Sequence, residues 1–300
     1  LDGGSRVSQV AFGFIVVGLG LKLAMFPLHT WLPGAYAYSP TMVTAFLAST
    51  ATKAALYLLY RFCFTVFDPS FDYVAVVLTY VVTGLAVTGM IFASLQAFFQ
   101  TDARRTLAFS SVAQVGYMLL GIGIISVAGL AGSYLHLINH AVVKGGLFLA
   151  LGAMWYRYGI TRISDMSGLS KMMPITTAAF TVLAFSLIGV PFTAGFVSKV
   201  ALAEAAAEKG WWWAVGVIMV TSILALFYMG RMMMAAYFNP PPAECLRADG
   251  KVIRREAPLM MLIPLVGLAI LSVMIGMRGN VILTDISENA ARVLIPGGGL

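Results

Sequence analysis

Residues 131–155 read AGSYLHLINHAVVKGGLFLALGAMW. The stretch is almost wholly apolar. It is long enough to cross a hydrocarbon core of about 30 Å, which takes roughly 20 helical residues. Yet His136, His140 and Lys144 recur within it at i, i+4 and i+8, so on a helix they line one face. Asn139 lies on an adjacent part of that face, and Gly145 and Gly146 follow. Titratable groups about 6 Å apart along a helix face suit proton hopping through intervening water, and histidine titrates near neutral pH. Two other readings stay open here. The histidines could be held as structural polar residues by neighbouring helices, or they could bind a metal, as a pair at i and i+4 can. No membrane-embedded carboxylate or cysteine supplies further ligands, so no metal is expected.

The rest of the chain has the same character. Of 300 residues, 60% are apolar and 10% are charged, and the mean hydropathy is +0.90. A soluble domain carries about 25% charged residues, so a water-soluble enzyme is excluded. The net charge of +7 sits mostly in a few loops, as membrane topology requires, and does not point to nucleic acid. Cys63 and Cys245 lie far apart and offer no disulfide framework or zinc spacing. The chain opens at Leu1-Asp2-Gly3-Gly4, with no initiator methionine and no basic signal-peptide start, and reads as a piece of a longer protein.

The pattern predicts an all-α fold, a polytopic transmembrane helix bundle. Its segments, lettered A to H, are expected near residues 8–30, 41–62, 73–98, 106–128, 131–155, 174–206, 211–238 and 257–277. Breakers fill the connections: Leu32-Pro33-Gly34 to Ser39-Pro40, Asp68-Pro69-Ser70 and Asn239-Pro240-Pro241-Pro242. The tail from 278 to 300 is too polar to span and is expected to lie along the surface as a short helix containing Ile286 to Leu294. Lysine and arginine are denser in the loops 99–105, 156–173 and 239–256, counting Arg247 and Lys251, than on the other side, which includes Arg278. The positive-inside rule then puts those three loops in the cytoplasm and both ends of the chain opposite.

Segments A and F share a design. Each is too long for one straight crossing and has an internal proline near a lysine: Lys22 with Pro27, and Pro191 with Lys199. Proline removes a helical hydrogen bond. In lipid a broken helix survives only where protein or a water-filled cavity satisfies the freed groups. Paired broken helices point to an ion site in transporters built from inverted repeats. Four lysines, Lys22, Lys53, Lys144 and Lys199, fall inside apolar segments. Each costs at least about 2.5–3.5 kcal/mol at the bilayer centre, so such residues usually face a polar interior and have a function. Snorkelling near a helix end is the plainer reading, above all for Lys22 and Lys199. All acidic residues fall in loops or near segment ends, so the lysines have no counter-charge mid-membrane. His29, Ser110, Asn139 and Arg231 are accessory candidates, Arg231 as a partner for backbone or lipid phosphate. Trp211-Trp212-Trp213 reads as an interfacial belt.

Four stretches carry a resemblance. They are Leu21-Lys22-Leu-Ala-Met-Phe-Pro27-Leu-His29-Thr-Trp31-Leu-Pro33 with Ser39-Pro40, Thr106-Leu-Ala-Phe-Ser110-Ser111-Val-Ala-Gln114-Val-Gly116, Asn139-His140-Ala-Val-Val-Lys144-Gly-Gly-Leu-Phe148, and Gly189-Val-Pro191-Phe-Thr-Ala-Gly195-Phe-Val-Ser-Lys199. Together they resemble the antiporter-like membrane subunits of respiratory complex I (NADH:quinone oxidoreductase) and its relatives and of Mrp-type Na+/H+ antiporters, across about residues 8–275. The resemblance implies about fourteen helices in two inverted repeats, with segments A to H as the seventh to fourteenth. It implies a first repeat ending in residues 1–62, a second over 73–238 whose broken helix is 174–206, a loop at 239–256, a last crossing at 257–277 and a tail. It also implies roles. Lys22 is the first broken-helix lysine, Lys53 the link, His136, His140 and Lys144 the connecting relay, and Lys199 the second broken-helix lysine. The family's essential glutamate would lie upstream of Leu1.

One complex I subunit carries Glu at the position of Lys199, and the longest subunits continue into a lateral helix, which argues against both. A D-type Mrp subunit, its closest complex I relative or a membrane-hydrogenase relative remains, with the D-type reading preferred. The expectation is a subunit of a multisubunit complex in the bacterial inner membrane, moving protons and, in an antiporter, Na+ or K+. No cofactor or redox site is expected in this chain. The rival class is a non-transporting structural subunit. A solute permease is disfavoured because A and F carry lysines where a substrate-shaped polar cluster would sit.

Overall fold

The computed structural model describes residues 5–246, 252–277 and 279–295, which leaves Arg247, Lys251 and Arg278 of the loop count outside the described residues. No strand forms among the described residues, whose β-pairing is limited to two isolated bridges, Asp102–Arg162 and Leu246–Val252. The helices are α1 (Arg6–Leu23), α2 (Trp31–Tyr38), α3 (Thr41–Val66), α4 (Asp72–Phe99), α5 (Ala103–Ile124), α6 (Val127–Tyr158), α7 (Pro174–Ile188), α8 (Ala194–Glu208), α9 (Trp212–Phe238), α10 (Leu259–Met277) and α11 (Gly279–Leu294). Seven of them, α1, α3, α4, α5, α6, α9 and α10, are long and apolar enough to cross a membrane. The eighth expected crossing is the pair α7 and α8. Each has 15 residues and so spans only about 22 Å at the helical rise.

Local chemistry sets the ends. Asp102 Oδ1 accepts from Arg105 N at 2.9 Å and starts α5. Ser126 Oγ accepts from Gly129 N at 3.0 Å and starts α6. The turn between them is therefore at Ile125-Ser126, earlier than the 128–131 boundary expected, because a serine cap follows a left-handed residue, Ile125 with φ 50°. The stretch Leu32-Pro33-Gly34, expected as a connection, is helical. Pro33 sits in the first turn of α2, where a helix loses no hydrogen bond to proline. The polar tail forms α11, which packs on α6.

α5 is buried almost throughout and α6 over most of its length, while α1, α9 and α10 are largely exposed along their apolar sides. Phe14, Phe46, Tyr80, Ile223 and Ile263 point outward. A bundle with such a surface needs a lipid solvent, and the protein is an integral membrane protein.

The apolar interior is split. One cluster holds Ala48, Leu107, Val112, Leu147, Leu183 and Tyr228. A second holds Leu56, Leu59, Ile122, Leu130, Leu202 and Ile218. Helix after helix passes from one to the other across a polar residue. Lys53 stands between Ala48 and Leu56, and Gln114 between Val112 and Val115. His136 to His140 lie between Leu130 and Val143, and Thr221 between Ile218 and Ala225. The polar side chains form a seam across the middle of the bundle.

Both predicted helix breaks are present. α1 stops at Leu23 because Ala24 is left-handed, φ 61°, and Trp31 Nε1 donates to the Leu21 carbonyl at 2.9 Å. α7 stops at Gly189, φ 93°. Across that second gap Gly195 N donates to Ser186 Oγ at 3.1 Å, and Asn139 Nδ2 donates to Ala194 O at 2.6 Å. A Cβ on Gly189 would meet Lys199 Cδ at 3.0 Å. Gly189→Ala is thus expected to lower the thermal unfolding midpoint of the purified protein, since a left-handed non-glycine residue costs about 1–2 kcal/mol. Gly18→Ala, where a Cβ meets nothing within 4 Å, should leave the midpoint unchanged or raise it.

Candidate functional site

Three lysines are buried in the seam: Lys53 at 7% exposure, Lys144 at 0% and Lys199 at 6%. Among the described residues none has a carboxylate partner. Among the described residues the one ion pair, Arg292 with Glu288 at 3.9 Å, lies on the surface of α11. Backbone and hydroxyl oxygens take the place of counter-charges. Lys199 Nζ donates to Leu187 O at 3.1 Å, Ile188 O at 2.8 Å and Ser222 Oγ at 3.1 Å. The two carbonyls belong to the last turn of α7, whose break frees them from helical partners and turns the negative end of the helix dipole toward the ammonium. The Tyr117 ring lies 5.0 Å from the same nitrogen. Lys144 Nζ donates to Leu107 O at 2.8 Å and to Ser110 Oγ, joining α6 to α5. Lys53 Nζ donates back to Ala48 O within α3.

The histidines lie between these lysines. His136 is stacked on Tyr117 at 5.2 Å, with Nε2 3.0 Å from Gln114 Oε1 and Nδ1 2.9 Å from Ser198 Oγ. Gln114 Oε1 can only accept, so Nε2 carries hydrogen, and in the neutral ring Nδ1 accepts from the Ser198 hydroxyl. The His140 ring is parallel to that of His136 at 6.4 Å. Its two nitrogens, and Asn139 Oδ1, are buried without a hydrogen-bond partner. They border a cavity of about 10 Å³ shared with Gln114, Ser186 and Gly195, the size at which one bridging water begins to fit. Lys53 and Lys144 both lie within electrostatic reach of His140.

Most of the residues expected from the sequence therefore meet: Lys53, His136, Asn139, His140, Lys144, Lys199 and Ser110. Lys22 does not, because it is exposed. The buried stripe of α1 runs through Ser8, Phe12, Val16, Gly20 and Leu23, and two residues beyond Gly20 is about 200° round the helix. His29 is buried beside the first break, stacked on Phe26 at 5.3 Å and edge-on to Phe109 at 6.3 Å. Arg231 caps the end of α4, donating to the carbonyls of Phe98 and Gln100. No group of three or more metal-ligating side chains is gathered among the described residues.

Sequence reasoning missed Gln114, Tyr117, Ser198, Thr221 and Ser222. Tyr117 Oη pairs with Thr221 Oγ1 at 2.6 Å and Ser222 Oγ at 3.3 Å, and Ser222 reaches Lys199. Gln114, an amide inside an apolar run, was the available signal. Serine, threonine and tyrosine give none, because isolated hydroxyls in membrane helices commonly bond their own backbone.

The family described as NADH:quinone oxidoreductase/Mrp antiporter, TM, matches residues 4–225. NADH-quinone oxidoreductase subunit N of Desulforudis audaxviator is 41% identical over 299 residues, an alignment that covers 97% of this chain and 59% of that protein. F(420)H(2) dehydrogenase subunit N of Methanosarcina mazei is 30% identical over 305 residues, covering 98% of this chain and 59% of the relative. Among solved structures, a chain of the Mrp complex from Dietzia sp. DQ12-45-1b superposes with TM-score 0.88 at 29% identity, covering 98% of this chain and 61% of the other. A chain of respiratory complex I from Thermus thermophilus with bound Aureothin gives 0.76 at 26% identity, covering 94% and 60%. The chain thus spans about three-fifths of the length of these relatives.

Because Gln114 and Ser198 are the protein partners of the His136 ring nitrogens, Gln114→Leu should orphan Nε2 and cost about 1–3 kcal/mol. Adding His136→Phe removes both partners and should recover part of that loss. Thermal unfolding of the two variants checks the sign of the coupling.

Proposed function

The chain belongs to the NADH:quinone oxidoreductase/Mrp antiporter transmembrane family, and on that premise we propose that it carries protons through the buried seam of a multisubunit membrane complex. The single observation that supports this reading most is the set of three buried lysines with only carbonyl and hydroxyl partners. A purely structural lysine would need a fixed counter-charge to offset its burial. A lysine held by neutral oxygens can lose and regain its proton without leaving a stranded carboxylate.

In this mechanism the buried steps run from Lys53 to Lys144 and His140, then to His136, whose ring stacks on Tyr117, and from the Tyr117 hydroxyl by Ser222 to Lys199. His140 is the mobile step, since its nitrogens serve no protein partner and the neighbouring cavity has room for about one water. A charge arriving at one lysine disfavours charge on the next, so the sites titrate as a set. Lys22 keeps its place at the first broken helix. His29 flanks that break, Ser110 and Asn139 hold Lys144 and the α7–α8 gap, and Arg231 fixes α4. Residues 1–62 and 73–238 form parts of the two inverted repeats. The loops 99–105, 156–173 and 239–256 face the cytoplasm.

We favour a redox-driven complex of the NADH-quinone oxidoreductase type over a D-type Mrp subunit, which the sequence motifs alone had preferred. Two sequence relatives aligned over 97% and 98% of this chain are named NADH-quinone oxidoreductase subunit N and F(420)H(2) dehydrogenase subunit N. The test uses membrane vesicles holding the full-length protein with its native neighbours. NADH plus quinone should build a pH gradient, and Lys144→Ala should abolish it while the complex stays assembled. A gradient collapsed by Na+ alone would restore the antiporter reading. Normal pumping by Lys144→Ala would leave a structural subunit.

A further inference from the structure

Tyr228, on α9, is buried at 1% exposure and lies outside the steps of the proton path. Its hydroxyl closes no hydrogen bond among the described residues. A buried tyrosine hydroxyl usually finds a partner, so its surroundings decide what it is for.

The register of two helices places it. Tyr117 of α5 meets Thr221 of α9 at 2.6 Å. Arg231 of α9 reaches the carbonyls of Phe98 and Gln100, just before α5 begins. α5 and α9 therefore run antiparallel. Seven residues are close to two full turns and return to the same face of a helix. Seven back from Tyr117 is Ser110, and seven on from Thr221 is Tyr228. The two stand opposite one another, with Gln114 on the same face of α5 between Ser110 and Tyr117. Ser110 and Gln114 lie within hydrogen-bonding reach of the Tyr228 hydroxyl, and Tyr117 within electrostatic reach. The hydroxyl thus has two neighbours and is committed to neither.

Both neighbours already serve the path. Ser110 Oγ accepts from Lys144 Nζ and donates its own hydrogen to Leu107 O at 2.9 Å. Gln114 Oε1 accepts from His136 Nε2 at 3.0 Å. Each oxygen keeps a further lone pair. Ser110 has no second hydrogen to give, so Tyr228 is the donor in either pairing and has one proton for two acceptors. A charge on Lys144 weakens the Ser110 oxygen as an acceptor and turns the tyrosine proton to Gln114. A charge on His136 weakens Gln114 in the same way and turns it to Ser110. We propose that Tyr228 is a positioning residue of the proton path, whose hydroxyl turns between Ser110 and Gln114 and so couples the charge on Lys144 to that on His136. It carries no proton itself, since passage through Gln114 would require the amide to exchange an N–H for an O–H, and His140 remains the carrier. The inference rests on the proton-path reading and adds a residue to it.

Vesicles holding the full-length protein with its native neighbours test this. Tyr228→Phe, Ser110→Ala, the double variant and Lys144→Ala are compared by NADH-driven proton pumping and by unfolding midpoint. Tyr228→Phe removes the hydroxyl and keeps the ring. Its midpoint should equal or exceed that of wild type, because no closed hydrogen bond is lost. Its pumping rate should fall about three- to tenfold, the weight of one hydrogen bond. The effects of Tyr228→Phe and Ser110→Ala on rate should not add in the double variant, because both act through one oxygen. A wild-type rate in Tyr228→Phe, with Lys144→Ala silent, would overturn the inference and leave the proton path standing. A midpoint lowered together with the rate, or additive effects in the double variant, would make Tyr228 a packing residue and overturn it as well. Normal pumping by Lys144→Ala would remove the path and the inference with it. If Ser110→Ala fails to assemble, the rate and midpoint of Tyr228→Phe decide alone.

Discussion

An ammonium group inside an apolar bundle must find oxygen, and the rest of this structure follows from where that oxygen comes from. Helical carbonyls are normally consumed by the helix itself. Lys199 has two available because α7 ends at Gly189, leaving Leu187 and Ile188 with free carbonyls. The break is therefore the means by which a buried cation is tolerated without a carboxylate. Asn139, Ser186 and Thr193 close the remaining gap. The cost of breaking a helix in lipid, an unsatisfied backbone, and the cost of burying a lysine are each offset by the other.

The same reasoning explains the divided core. Two apolar clusters pack at close density on either side of a layer that cannot be apolar. Most helices cross the layer with one turn or less of polar sequence. α5 and α6 are the exceptions, α5 carrying Ser110, Gln114 and Tyr117 and α6 carrying His136, Asn139, His140 and Lys144 over two turns each, and α6 packs against α3, α5, α7, α8, α10 and α11. Proton movement along such a layer needs no large conformational change, only rotation of hydroxyls and rings and a change of charge at each lysine.

Much of this was legible in the sequence, unevenly. Apolar length settled the crossings, and the titratable stripe of α6 announced itself because charge in apolar sequence is expensive. Proline near lysine located both breaks. What stayed hidden had physical reasons. Lys22 and Lys199 look alike in sequence, yet Lys22 falls opposite the buried stripe of α1, a difference of register that residue identity does not carry. Pro33 read as a breaker and proved to start a helix, since proline serves either role according to position. Ser198, Tyr117 and Ser222 gave no signal, because nothing in the chain marks which hydroxyl meets a distant partner.

His140 separates transport from architecture more cleanly than the lysines do, because neither of its ring nitrogens holds a protein partner. The most direct measurement is proton pumping per NADH oxidised by vesicles whose complex carries His140→Leu, with the unfolding midpoint of the same sample recorded alongside. The account predicts an intact midpoint and assembled complex with pumping lost. Pumping at the wild-type ratio from a stably folded His140→Leu complex would contradict a proton path through the seam.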